Sequence, residues 1–183
     1  VLILATRIIP ILLCRGRELI KGTQFNSWRS VGVAIQAARV HAMRGVDELI
    51  LLDIGATPED RDPDFALIKE LTDTCFCPLT VGGGVRTMED VAQLLRSGAD
   101  KVAIGTAATE APYFVRNCAD RFGSQALVIA IDVGFGDSVM TRCGKRPYAH
   151  NPVTHAKWME DNGAGEILLT SIDREGMMQG YDL

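Results

Sequence analysis

The sequence matches itself. Gly45-Val-Asp-Glu-Leu-Ile-Leu-Leu-Asp-Ile54 aligns with Gly163-Ala-Gly-Glu-Ile-Leu-Leu-Thr-Ser-Ile172 at an offset of 118 residues (163 − 45). Ile8-Ile-Pro-Ile-Leu-Leu-Cys14 aligns with the run that ends in Ile131-Asp-Val133 at an offset of 119, which sets Leu13 against Asp132 (132 − 13). Both members of that second pair lead into a long polar, hairpin-like excursion, Arg15 to Arg29 and Gly134 to Lys145, with Lys21-Gly22 in the second arm of the first. A chain carrying one pattern twice is constrained to folds that use one supersecondary unit twice.

Within each copy, short apolar runs rich in β-branched residues alternate with capped helical segments. Arg7 to Cys14, Glu48 to Asp53, Pro78 to Val81, Asp100 to Ile104, Ala126 to Ile131 and Glu166 to Thr170 read as strands, nearly all apolar as in a sheet buried on both faces. Pro10 is awkward in the first, because proline cannot donate to a ladder. The intervening helices are signalled by their ends. Ala34 to Met43 shows helical spacing (Ile35, Ala38, Val40, His41) and stops at Gly45. Asp62-Pro63 reads as a cap and first turn for a helix running to Asp73. Thr87 with Asp90 forms a capping box for Met88 to Ser97, closed by Gly98. Pro112 opens a helix ending near Gly123, and Asn151-Pro152 opens one through Asn162.

This βα alternation implies parallel strands with right-handed crossovers. An open doubly wound sheet and a (β/α)8 barrel both satisfy it, and both place sites at strand C-termini. The repeat chooses between them, since about 120 residues holding four βα units is half of a barrel that needs about 250 residues. The expected fold is therefore α/β, a (β/α)8 TIM barrel built of two half-barrels at about 7–125 and 126–183 of one domain, 1–183. Six strands would make that barrel incomplete, lacking βα units 7 and 8.

Formal net charge is −4 and the pI is about 5.4, so no nucleic acid or acidic membrane is expected as partner. The apolar runs are too short to span a bilayer, and Val1 to Ala5 carries no signal-peptide pattern, which points to the cytoplasm. Cys14, Cys75, Cys77, Cys118 and Cys143 lack zinc-like or oxidoreductase spacing and read as reduced, mostly buried thiols. His41, His150 and His155 share no metal-ligand spacing, and His41 and His155 read as helix surface. Neither metal nor cofactor is expected.

The chemistry lies after the strands. Gly82-Gly83-Gly84 and Gly105-Thr106 let backbone N–H groups approach an anion, although tight turns alone also require glycine. Asp132, an acid ending an apolar strand, reads as a general acid or base, whereas Asp53 reads as a loop organiser.

Arg7-Ile-Ile9, Leu52-Asp-Ile54, Leu79-Thr-Val-Gly-Gly-Gly84, Gly98-Ala-Asp-Lys101, Phe122-Gly-Ser-Gln125, Ala130-Ile-Asp132 and Gly163-Ala-Gly-Glu-Ile-Leu-Leu-Thr-Ser-Ile-Asp173 together resemble the cyclase subunits of imidazole glycerol phosphate synthase, over nearly the whole chain. The resemblance implies a (β/α)8 barrel that takes ammonia from a glutaminase subunit. It uses that ammonia to close the imidazole ring of a phosphorylated substrate, giving imidazole glycerol phosphate and an aminoimidazole carboxamide ribonucleotide. By the same resemblance Asp132 is catalytic, and Lys21, Gly83, Gly84, Gly105, Thr106, Thr170, Ser171, Glu175 and Gly176 bind substrate or phosphate. Arg7, Glu48, Lys101 and Glu166 gate ammonia at the opposite face, and Asp100 docks the glutaminase.

The sequence departs from that family at several of these places. Leu13 stands where the family has its other catalytic aspartate, Gly105 where an asparagine is usual, and Glu175 where an aspartate is usual. The strands that carry the second phosphate site are also lacking, so impaired activity is expected. Leu13 and the Pro10-Ile-Leu-Leu13 wording are similar to a cyclase-like branch that channels ammonia to a sugar amidotransferase in surface-polysaccharide synthesis. A third expectation is a non-catalytic barrel fragment that self-associates, as a homo-oligomer, through unpaired strand edges.

Overall fold

The computed structural model of the chain describes residues 6–148 and 151–182. The expectations placed on Val1 to Ala5 and on His150 fall outside them. Six parallel strands form the frame: β1 (Ile11–Arg15), β4 (Leu49–Asp53), β5 (Leu79–Gly82), β6 (Lys101–Ile104), β7 (Leu127–Gly134) and β10 (Glu166–Ser171). Each hydrogen-bonds the next in that order, with no reversal of strand order of the kind a doubly wound sheet shows. The first and last parallel strands, β1 and β10, do not pair, so the sheet is open among the described residues.

Both polar excursions are antiparallel extensions of the sheet. β2 (Glu18–Thr23) and β3 (Asn26–Val33) continue from β1, while β8 (Ser138–Thr141) and β9 (Arg146–Tyr148) continue from β7. The pairing register also repeats. Leu13 lies opposite Leu52 in the β1/β4 pair, and Asp132 lies opposite Thr170 in β7/β10, the equivalent positions at offsets of 119 and 118.

Side chains alternate across these strands. Leu12, Leu51, Val81, Val102, Leu127 and Ile129 point outward into a core closed by the helices. Those helices are α1 (Ala34–Met43), α2 (Phe65–Thr72), α3 (Met88–Arg96), α5 (Pro112–Phe122) and α6 (Pro152–Asp161), joined by a short α4 (Thr106–Glu110) that the sequence reading omits. The opposite strand face carries Ile11, Leu13, Leu52, Ala103, Ala130 and Leu168 and is left largely unfilled.

Most helix ends agree with the sequence reading. The Thr87/Asp90 capping box is present in both directions, and Asn151 accepts from the backbone N–H groups of Val153 and Thr154. The cap of α2 is corrected: Asp64, not Asp62, accepts from Leu67 N at 2.9 Å, while Asp62 pairs with Arg86. Pro10 precedes β1, and its carbonyl accepts from Ile50 N at 3.0 Å, so no ladder donor is lost. Val40 is 46% exposed because α1 buries only Ala34, Ile35 and Ala38.

His155 is corrected from helix surface to fully buried, at 0% exposure. With Met159 it forms the inward stripe of α6. Its Nε2 lies 3.1 Å from Thr109 Oγ1, and the rings of Tyr148 and Trp158 flank it.

Candidate functional site

Where β4, β5, β6, β7 and β10 end, the unfilled strand face opens into a cavity of about 690 Å³. The inner positions at this level that line it are small: glycine at 105, alanine at 103 and 130. Gly83, Gly84, Gly105, Thr106, Asp132, Thr170 and Glu175 all line it, and so does Leu13. Lys21, Ser171 and Gly176 do not. Lys21 is exposed on β2, and Ser171 donates to Asp182 at 2.8 Å. A Cβ on Gly176 would meet Gly22 O at 2.6 Å, so this glycine serves a close backbone approach.

Asp132 lies half-buried between Thr170 of β10 and Met140 of β8. Burial pushes its carboxyl from 3.8 up to about 6, against the opposing pull of a hydrogen bond from Thr170. A carboxyl with that pKa exchanges its proton close to neutral pH. Leu13, the equivalent residue of the other copy, adds an apolar wall and no proton.

Asp53, also in the lining, is instead held by the loop that follows β4. Its Oδ1 accepts from Gly55 N and Ala56 N at 2.9 and 3.2 Å, and Arg61 braces it at 3.2 Å. This is a loop-organising geometry. Gly83 packs on the same place, since a Cβ there would come 2.2 Å from Asp53 O and its φ is +107°. Its glycine is therefore required by packing. At Gly105 an added Cβ would meet nothing closer than 3.8 Å.

Two loops hold the mouth. Glu175, after β10, accepts from Phe25 N at 3.2 Å, and its carbonyl accepts from Gln24 N at 2.9 Å. Gln24 and Phe25 both take positive φ (51° and 56°) to turn the β2–β3 hairpin without glycine. The chain after β10 thus reaches across to this hairpin although β10 and β1 do not pair. The β8–β9 loop is anchored by Arg142, which donates its N–H to Thr106 Oγ1 at 3.0 Å and forks onto Glu110 at 3.1 and 3.2 Å. Sequence reading missed Arg15, Trp28, Arg86, Arg142, Cys143 and Lys145 as cavity residues. Their one signal was that they belong to the excursions or to loops after strands.

At the other end of the strands, Arg7, Glu48, Lys101 and Glu166 form one continuous ionic chain. Glu48 pairs with Arg7 and with Lys101 at 3.2 Å, and Lys101 pairs with Glu166 at 2.5 Å. Burial pulls the Lys101 pKa down, but its bonds to Glu166 and Glu48 outweigh that and raise it. Asp100, beside this group, accepts from Leu79 N at 2.8 Å and donates its own N–H to Leu79 O, a strand-start contact.

Among the described residues no cluster of three or more His, Cys, Asp or Glu is placed to hold a metal, and no helix is long and apolar enough to cross a membrane. The sequence model of one family, described as "Histidine biosynthesis protein", matches residues 7–183.

Proposed function

Since the chain belongs to the histidine biosynthesis protein family, whose fold is a (β/α)8 barrel, we propose that it is a cyclase-type synthase barrel. In this reading, ammonia from a glutaminase subunit closes an imidazole ring on a phosphorylated aminoimidazole carboxamide ribonucleotide. The observation that carries it is Asp132, a single carboxyl with a pKa of about 6 in the wall of a cavity at the strand C-termini. Ring closure by ammonia moves protons onto and off nitrogen, and a group titrating near neutral serves both directions. The ionic chain of Arg7, Glu48, Lys101 and Glu166 at the far end of the strands supports entry of ammonia from that face, with Asp100 beside it at the glutaminase contact. The repeated register supports two half-barrels, with the six parallel strands as consecutive units of the barrel.

Leu13 leaves Asp132 without a carboxyl at the equivalent strand-end position of the other copy, and loss of a proton-transfer group costs about 10²–10⁴-fold in rate. The test is formation of imidazole glycerol phosphate from the ribonucleotide substrate and an ammonium salt. Slow turnover, abolished in Asp132→Asn and raised in Leu13→Asp, is the expected result. Turnover that Asp132→Asn leaves unchanged would refute the assignment.

A second reading is favoured by Leu13 itself, which makes one cavity wall apolar while the ionic chain at the ammonia face is kept. It casts the protein as an ammonia-channelling subunit for a sugar amidotransferase. Glutaminase-dependent amidation of a nucleotide sugar without ring closure would support it, and ring closure without glutaminase binding would refute it. The open edge of β10 and the part of β1 before Cys14, which β2 does not pair, support self-association in either case, with Ile11 45% and Leu169 60% exposed. A monodisperse monomer by light scattering at high concentration would refute that.

A further inference from the structure

Four cations line the cavity: Arg15, Arg86, Arg142 and Lys145. Three of them are already neutralised. Arg15 pairs with Glu59 at 2.5 Å, Arg86 with Asp60 and Asp62, and Arg142 with both oxygens of Glu110. Lys145 alone of the four has no ion pair or side-chain hydrogen bond among the described residues, so it can receive an anion without first releasing a carboxylate.

The cavity as a whole does not attract anions. Its lining also holds six acids, Asp53, Glu59, Asp60, Glu110, Asp132 and Glu175, against the four cations. Among the cavity's charged side chains, an anionic ligand is therefore favoured where a cation stands unpaired. Lys145 is also well anchored for a loop residue. It follows Arg142, Cys143 and Gly144, which take φ values of 55°, 57° and 76° in succession, and its N–H donates to Thr141 O at 3.1 Å. The bonds from Arg142 to Thr106 and Glu110 tie this turn to the segment after β6. Gly105 and Thr106, both in the cavity lining, lie on that segment.

We propose that Lys145 is a substrate-binding residue that holds a phosphate monoester on the β8–β9 side of the cavity. It rests on the proposed function only for the natural ligand being a phosphorylated sugar derivative. The lysine ammonium meets the phosphate dianion as a point charge, and the paired arginines around it stay in place.

The probe is ribose 5-phosphate, titrated into the intact protein and followed by phosphorus NMR, for the wild type, Lys145→Gln, Lys145→Arg and Lys157→Gln. Lys157 is exposed on α6 outside the cavity and controls for the change in net charge. Loss of one charge-assisted contact is expected to weaken binding about tenfold in Lys145→Gln. Lys145→Arg keeps most of the affinity, and Lys157→Gln matches the wild type. Circular dichroism should be the same for all four proteins, since both lysines are exposed. A wild type that does not bind the probe, a Lys145→Gln variant that binds it equally well, or a Lys157→Gln variant that loses as much would each overturn the proposal. Loss of binding in Lys145→Gln together with a wild type that closes no ring would keep this site and refute only the proposed function. Ring closure with probe binding unaffected by Lys145→Gln would do the reverse.

Discussion

Replacing Asp132 with asparagine should stabilise the protein at neutral pH while removing the group proposed to move protons. Burial lifts the carboxyl from 3.8 to about 6. At about 1.4 kcal/mol per pKa unit, the folded state disfavours the carboxylate by about 3 kcal/mol. Because the folded pKa lies above the unfolded one, the native state holds an extra proton between about pH 4 and pH 6. The stability contributed by the protonated form is complete below about pH 4 and is lost as pH rises through about 6. Asparagine keeps an oxygen for the Thr170 hydroxyl and has no proton to lose. Urea unfolding of both proteins from pH 3 to pH 8 should give a stability difference that shifts in favour of Asp132→Asn by up to about 3 kcal/mol, rising between about pH 4 and pH 6 with a midpoint near pH 5. Groups shared by both proteins cancel in that difference. A difference independent of pH, or one moving in the opposite direction, would refute the buried-carboxyl argument. The same ionisation should appear as an acid limb near pH 6 in the ring-closing rate, with activity falling as Asp132 is protonated.

Glu48→Gln removes the carboxylate shared by Arg7 and the partly buried Lys101. A loss of about 1–2 kcal/mol in urea unfolding is expected, less than for a fully buried pair because Arg7 is exposed. Gly83→Ala combines a left-handed backbone at φ +107° with a Cβ placed 2.2 Å from Asp53 O, and should lower stability by at least about 1 kcal/mol, read as a fall in Tm. Burial pushes Cys14 up to about 12 and Cys118 and Cys143 up to about 11. In the folded protein at pH 8 these three thiols should react with a disulfide reagent far more slowly than in urea.

Much of the local structure was legible in the residues because its causes are local. Thr87, Asn151 and Pro112 sit at helix starts where their side chains or fixed φ act within one turn, and the structure keeps all three. The α2 start went wrong by two residues because Asp62 and Asp64 are both competent caps. Which one caps depends on Arg86, 24 residues away, drawing Asp62 off. His155 could not be read as buried, because its neighbours Thr109, Tyr148 and Trp158 come together only when α4, β9 and α6 pack.

The sequence by itself determined the six parallel strands, the two hairpin excursions and the offset that sets Leu13 against Asp132. These follow from apolar period and self-similarity, which need no knowledge of neighbours. Only the tertiary structure decided how charge is distributed around the cavity. The sequence offers arginines, lysines and acids throughout its loops, but which cation finds a carboxylate depends on distances between segments tens of residues apart. Tertiary packing neutralised Arg15, Arg86 and Arg142 and left Lys145 open. It also set Asp132 where burial carries its pKa to about 6, a property of the surrounding strands rather than of the aspartate.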